Sequence, residues 1–361
     1  MAPEGTIAPT PEALRSPESV PAVLRHLVRL SHDVEARPGA RGIAVYATAI
    51  DPASAALGDV AEHEAAETGL EGVACVDDVA RAAVLALRLY ARTGGEAIRE
   101  LAEGWLAFVE YMQLSDGRFC NFVTDWRGTR NETGPTSLPG GAWWTARALW
   151  ALGEATWTIG RPEYQRAFER GWVMGRPDAS DISSLVLLGT IGYLRRSYDE
   201  ALHRAARGMA GTIASMTANG YLVHHAGETS IHMWGYDQVT ALAEAATYFQ
   251  DPSLLYPCIT TAELVFKRQA LDGPFRDFPP REHTGLCAYD VSGSCRGLGA
   301  LYRATGRREY AVWLGKLISW FDGQNAAGDP LYDRAEGRCY DGIDGSVMNR
   351  NCGAEGAIEA G

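Results

Sequence analysis

Ser183-Ser184-Leu185-Val186-Leu187-Leu188-Gly189-Thr190-Ile191-Gly192-Tyr193-Leu194 has no polar face. An amphipathic helix lying on a core shows apolar residues every three or four positions and charge between them. A helix apolar all round has neighbours on every side. The same character recurs in Ala80–Ala91 (ARAAVLALRLYA), Thr145–Ala155 (TARALWALGEA), Val239–Phe249 (VTALAEAATYF) and Ser292–Tyr302 (SGSCRGLGALY). Between these runs stand amphipathic ones, such as AIRELAEGWLAFVEYM and PEYQRAFERGWVM.

Working outward, the periodicity predicts twelve helices. They lie at about 18–34, 77–93, 96–114, 142–158, 162–174, 181–197, 199–217, 234–249, 252–269, 289–304, 308–323 and from 352 on. Short turns (RTGGEA, TIGRPEY, RSYDEA, FQDPSL, TGRREY) follow the second, fourth, sixth, eighth and tenth helices. Gly stops one helix and Pro, Asp or Ser starts the next, as in antiparallel hairpins. Long connections rich in Gly, Trp, Tyr, Asp and His precede most even-numbered helices, and loops of that length usually serve function. Strand signals are nearly absent. Six buried helices alternating with six amphipathic ones predict an all-α (α/α)6 toroid, with an open helical solenoid as the alternative. The last inner helix, NCGAEGAIEAG, is short.

The chain has 361 residues, 46% hydrophobic and 22% charged, with a net charge of −12. That composition suits a large globular core. An acidic surface repels phosphate backbones and anionic lipid, which argues against nucleic acid and membrane insertion. Seven cysteines without CxxC spacing read as reduced thiols, and the start of the chain has no apolar leader, so a cytoplasmic location is expected. Residues 1–17 read as a flexible tail and 18–361 as a single barrel domain.

In such a toroid the inner helices enter from the long loops, and their N-termini share one rim that favours negative charge. Asp77, Asp78, Asp237, Asp290 and Glu355 stand there; Asp181, followed by two serines, reads as a simple N-cap. Trp143, Trp144, Trp234, Tyr236 and Tyr289 accompany them with His225 and His283, and rings interleaved with acids suit sugars. Opposite inner helices lie on the order of 20 Å apart, so inward acids could meet the roughly 6.5–9.5 Å spacing of an inverting glycosidase. Arg81 is four residues from Asp77, which makes Asp77 the cap and ion-pair partner and Asp78 the freer acid. Arg147 holds the same place relative to Trp143, and either arginine could hold a uronate. His224, His225 and His232 invite a metal, but no acid has matching spacing, so neither metal nor cofactor is expected.

VDDVARA, the FCNFVTDWRG and ARALWALGEA blocks, WGYDQVTALAEA and the stretch from WFDGQNAAGDPLYDRAEGRCYDGI to MNRNCGAEGAIEA resemble a known family. It is the (α/α)6 domain found alone or fused to bacterial mannosyltransferase-like glycosyltransferases, among the six-hairpin glycosidase-like proteins. The resemblance runs from about residue 70 onward and is most specific at Asp77–Arg81 and at the Asn-x-Asn-x-Gly-Ala-Glu block, where Asn349 and Asn351 are expected at the substrate. It implies a toroid and a role in glycan metabolism. Cys352 and Gly356 depart from the more polar residues of that block. The reading is hydrolysis of a glycosidic bond in an oligosaccharide or glycoconjugate, with Asp78 and Asp237 as acid and base and Asp290 as alternate. Asp77, Arg81 and Glu355 orient them; the aromatics, Arg147 and the loop histidines hold the sugar. The alternatives are a non-catalytic glycan-binding scaffold serving a glycosyltransferase, or a polysaccharide lyase or unsaturated-uronyl hydrolase.

Overall fold

The computed structural model describes residues 19–49, 60–63, 71–172, 179–281 and 285–361. The expected tail at 1–17 and His283 lie outside the described residues. Inner helices are α2 (Val76–Thr93), α4 (Ala142–Thr158), α6 (Ser180–Arg196), α8 (Gln238–Phe249), α11 (Tyr289–Thr305) and α13 (Ala354–Ala360). The outer ones are α1 (Ala22–Arg29), α3 (Glu96–Tyr111), α5 (Pro162–Trp172), α7 (Glu200–Ser215), α9 (Leu255–Thr261), α10 (Lys267–Asp272) and α12 (Arg308–Phe321). α9 passes into α10 through a π-helical turn, Ala262–Phe266, where the sequence suggests one continuous helix.

Each inner helix touches the next, and the short α13 touches both α11 and α2. The ring therefore closes, and the toroid holds over the open solenoid. Side chains of α6 are buried from Ser183 to Leu194, and those of α2 are buried at most positions from Val76 to Leu87. The outer helices bury one stripe: Leu101, Ala102, Trp105, Phe108 and Val109 of α3 are all buried. All seven cysteines are unpaired. Among the described residues, no helix is long and apolar enough to cross a membrane.

Two features depart from the sequence expectation. α1 is shorter than 18–34, because Ser31–Asp33 leaves the helix and pairs with Arg41–Ile43 as a strand. The rim loops also carry short antiparallel pairs that the sequence barely signals. Ala74–Cys75 pairs with Phe122–Val123, Ile231–His232 with Asp277–Phe278, and Gly285–Cys287 with Gly342–Asp344.

Helices α4 and α6 cross tightly, because glycines bring their backbones into contact. A Cβ built on Gly153 would lie 1.9 Å from the Gly189 carbonyl oxygen, and one on Gly189 only 2.4 Å from that of Leu149. Gly153→Ala should therefore push the ring apart and destabilise it by about 1–3 kcal/mol, read as a lower urea midpoint. Gly208→Ala on α7 meets no atom within 4 Å and should be neutral or stabilising by up to about 1 kcal/mol. Equal tolerance of both changes would show that this crossing is not tight.

Candidate active site

Residues four apart on a helix lie one above the other, and three inner helices use this spacing at the rim. Asp77 stands over Arg81, Trp143 over Arg147 and Glu355 over Glu359. α11 adds Tyr289 at the rim and Arg296 two turns below; Asp237 immediately precedes α8.

Arg81 is the hub. Its Nη2 lies 2.6 Å from Asp78 Oδ1, 3.0 Å from Asp77 Oδ2 and 3.1 Å from Glu355 Oε2, while Nη1 donates to Glu359 Oε1 at 2.5 Å. Arg296 makes the second hub, donating from Nε and Nη2 to the two Asp237 oxygens at 2.8 and 3.0 Å. Its Nη1 donates to Glu359 Oε2 at 2.6 Å, so Glu359 joins both arginines, with Ser292 Oγ as a further donor. Burial alone would raise the Glu359 carboxyl, but Arg296 and Arg81 outweigh it and hold it at about 2.

Arg147 differs from both. Its side chain is fully buried, yet among the described residues none of its three nitrogens has a hydrogen-bond partner. Asp77 Oδ1 lies 3.4 Å from Nε and Asp237 Oδ2 4.0 Å from Nη1, but both acids are already bound elsewhere. The Tyr289 ring is 5.6 Å and the Trp143 ring 5.8 Å from the guanidinium. Among the described residues Tyr289 Oη is likewise buried and unpartnered; Trp150 Nε1 and Thr240 Oγ1, also unpartnered, line cavities shared with Arg88, Arg296, Glu359 and Gly361 and not with the mouth aromatics. Buried polar groups rarely stay unpaired, so this donor-rich floor is suited to oxygen acceptors. Above it, Trp234 packs edge-on against Trp143 and Tyr289, with centroids 5.1 and 4.9 Å apart.

The expected acids separate sharply by burial. Asp78 is buried against Arg81, and its carboxyl is raised by desolvation against the pull of that arginine. The α2 cap is Cys75, whose Sγ accepts from the Asp78 amide, so Asp77 is not the cap. Asp77 keeps 23% of its side chain exposed, which reverses the roles expected for the pair. Asp237 is wholly buried against Arg296. Asp290 points away from the cluster: its Oδ2 accepts from the Cys287 amide at 2.9 Å and faces Arg276 at 3.3 Å. Glu355 is 41% exposed at the side chain. Crowding by protein and the charges of Asp78, Glu359 and Asp77 outweigh Arg81 and push its carboxyl up to about 7.

Trp143, Trp234 and Tyr289 meet at the mouth, whereas Trp144 and Tyr236 do not. Trp144 Nε1 donates to the Phe119 carbonyl at 2.8 Å, and the buried Tyr236 hydroxyl donates to the Leu222 carbonyl at 2.6 Å. His225 is exposed on its loop. Asn351 accepts from Thr48 Oγ1 at 3.0 Å, and Asn349 accepts from the Asn351 amide at 3.1 Å, so both brace the segment leading into α13. Arg296 and Glu359 escaped the sequence reading. The signal that singled out Arg81 and Arg147, a charge inside an otherwise apolar inner helix, applies equally to both.

No protein-family model and no curated protein sequence matches the chain. Solved structures do. Cellobiose 2-epimerase from Bacillus thermoamylovorans aligns with a TM-score of 0.71 at 12% identity, over 94% of this chain and 95% of that one. A sugar epimerase from a ruminal bacterium gives 0.69 at 10% identity, over 96% and 97%. A D-mannose isomerase gives 0.68 at 11% identity, over 97% and 95%. At these identities the likeness establishes the (α/α)6 fold.

Glu359→Gln should remove the carboxylate shared by Arg81 and Arg296 and cost about 3–5 kcal/mol of unfolding free energy at neutral pH. Because Glu359 titrates near 2 when folded rather than at its ordinary 4.5, that difference should be full above pH 4.5 and shrink as pH falls toward 2. A difference independent of pH in denaturant titrations would contradict the double ion pair.

Proposed function

We propose that the chain is a carbohydrate-processing enzyme that hydrolyses a glycosidic bond in an oligosaccharide or glycoconjugate, with Glu355 as proton donor and Asp77 as its carboxylate partner. The observation that carries this reading is the contrast within the arginine network. Asp78, Asp237 and Glu359 are buried and bonded to arginines, while Glu355 and Asp77 reach solvent beside the aromatic mouth. A carboxyl pushed up to about 7 is still about half protonated at neutral pH, which lets it serve as a general acid. Asp77, 3.0 Å from Arg81 Nη2, supplies the second carboxyl group.

Both acids touch the same Arg81 nitrogen, so those two oxygens are no more than about 6 Å apart. That favours the roughly 5–5.5 Å arrangement of a retaining glycosidase, with Asp77 as nucleophile, over the inverting geometry first expected of Asp78 and Asp237. Trp143 and Trp234 would stack on the sugar, and Arg147 would donate to its oxygens.

A second reading, epimerisation or isomerisation of a sugar, is favoured by Arg147. Three unpaired guanidinium donors beside an unpaired Tyr289 hydroxyl suit an oxyanion that forms when a proton leaves the carbon next to a carbonyl. Incubating the protein with an oligosaccharide panel in deuterated water separates the two by NMR. Hydrolysis releases new reducing ends, whereas isomerisation leaves the glycosidic bond intact and puts deuterium on carbon. Binding without either product would instead favour the scaffold serving a glycosyltransferase.

On a confirmed substrate, Glu355→Gln should lower kcat about 10²–10⁴-fold, with little loss of thermal stability. Wild-type kcat should fall as pH rises through about 7, where Glu355 loses its proton. Asp290→Asn, away from the cluster, should stay within a few-fold of wild type. Full turnover by Glu355→Gln would rule out the assignment.

A further inference from the structure

Beside the mouth, a second cluster lies outside the arginine network. Asp181 sits in the first turn of α6, His224 follows the strand Tyr221–Leu222, and His232 ends the strand Ile231–His232. Asp181 Oδ2 lies 3.4 Å from His224 Nδ1 and 4.0 Å from His232 Nε2. One ligand atom from each residue falls within 4.8 Å of the other two. Asp181 is buried, and among the described residues no lysine or arginine pairs with it. A buried carboxylate without a cation is costly, so this one has room for a positive charge.

The surrounding hydrogen bonds hold both rings in place. Ser180 Oγ donates to the Val223 carbonyl at 2.7 Å and lies 3.1 Å from Gln238 Nε2, which stands 3.1 Å from His224 Nδ1. His224 Nε2 lies 3.1 Å from both the carbonyl and the amide nitrogen of His232, so this ring can carry its proton on either nitrogen. His232 Nδ1 donates to the Trp234 carbonyl at 2.9 Å, which leaves its Nε2 bare toward Asp181 Oδ2. The Ile182 amide holds the other Asp181 oxygen at 2.8 Å. One nitrogen of each imidazole and one carboxylate oxygen converge.

We propose that Asp181, His224 and His232 form a binding site for a divalent transition-metal ion of the zinc type. The donor set is two imidazoles and a carboxylate, and the carbonyls behind both rings are the outer partners that hold metal-binding histidines in place. Zinc bonds of about 2.0–2.2 Å separate ligand atoms by about 3.3–3.5 Å, which Asp181 and His224 already match. The rings now stack with centroids 4.0 Å apart, so the ion requires His232 to tilt inward and replaces the Gln238 bond to His224. His232 has the freedom to do so, with 39% of its side chain exposed. That exposed side adjoins Trp234, so water or a sugar diol could complete the shell from the mouth. The site stands independently of the hydrolytic reading.

The full chain, stripped with chelator, is titrated calorimetrically with zinc sulfate, alongside His232→Ala and Asp181→Asn. One ion per chain is expected for wild type, with affinity reduced at least about 100-fold in His232→Ala at unchanged circular dichroism. Cobalt(II) in place of zinc should give visible bands that His232→Ala abolishes. Absence of binding at millimolar zinc would overturn the site and leave a proton as the only cation Asp181 meets. Binding equal in His232→Ala and wild type would also overturn it, tracing the ion to other histidines or thiols. Asp181→Asn bears on the result only if its thermal melt matches wild type; His232→Ala, at a partly exposed position, decides the question without it.

Discussion

The guanidinium of Arg81 closes the ring. It sits on α2, the first inner helix, and binds Glu355 and Glu359 of α13, the last. Glu359 passes the contact on to Arg296 of α11, which in turn holds Asp237 at the start of α8. Hydrophobic burial is non-directional and would tolerate many helix arrangements, including an open stack. Charges that lose water on burial require particular partners at particular distances. Here the partners are found when the first and last inner helices meet, which ties ring closure to the geometry of the rim.

The same network sorts the acids chemically. A carboxylate shared between two arginines is held ionised, as Glu359 is, and has no proton to give near neutrality. A carboxyl at the edge of the network, with one arginine and several acids around it, keeps its proton far longer, as Glu355 does. Two glutamates four residues apart on one short helix therefore carry opposite tendencies. Their difference comes from the number of cations within reach, not from residue type.

The fold was legible in the sequence because its strongest signal is local. A run such as Ser183–Leu194 states its own burial, and alternation with amphipathic partners repeats it around the ring. The end of α1 was less legible, because Ser31–Asp33 becomes a strand only through pairing with Arg41–Ile43. The rim location of the acids was also legible from helix order. Their roles were not, since Asp77 and Asp78 are adjacent and differ only in which one the packing covers. Asp181 shows the limit most clearly. Followed by two serines it looks like a cap, and the histidines that face it come from the loop some forty residues later, a juxtaposition no spacing rule encodes. Asp290 erred the other way: its place at a helix start matched the other acids, but Arg276 and the Cys287 amide draw it out of the mouth.

The small strand pairs of the rim have a consequence for how such a molecule could change its ligand. Ile231–His232 pairs with Asp277–Phe278, and Arg276, next in sequence, holds Asp290 at the start of the following inner helix. Gly285–Cys287 pairs in turn with Gly342–Asp344, which leads toward Glu355. The loops thus form a stitched collar rather than independent fingers. Lengthening one of them would shift the register of its neighbour and, through it, the acid that neighbour positions. Selectivity in this scaffold should accordingly evolve by exchanging side chains on a fixed collar, with insertions favoured in the short turns at the opposite end of the barrel.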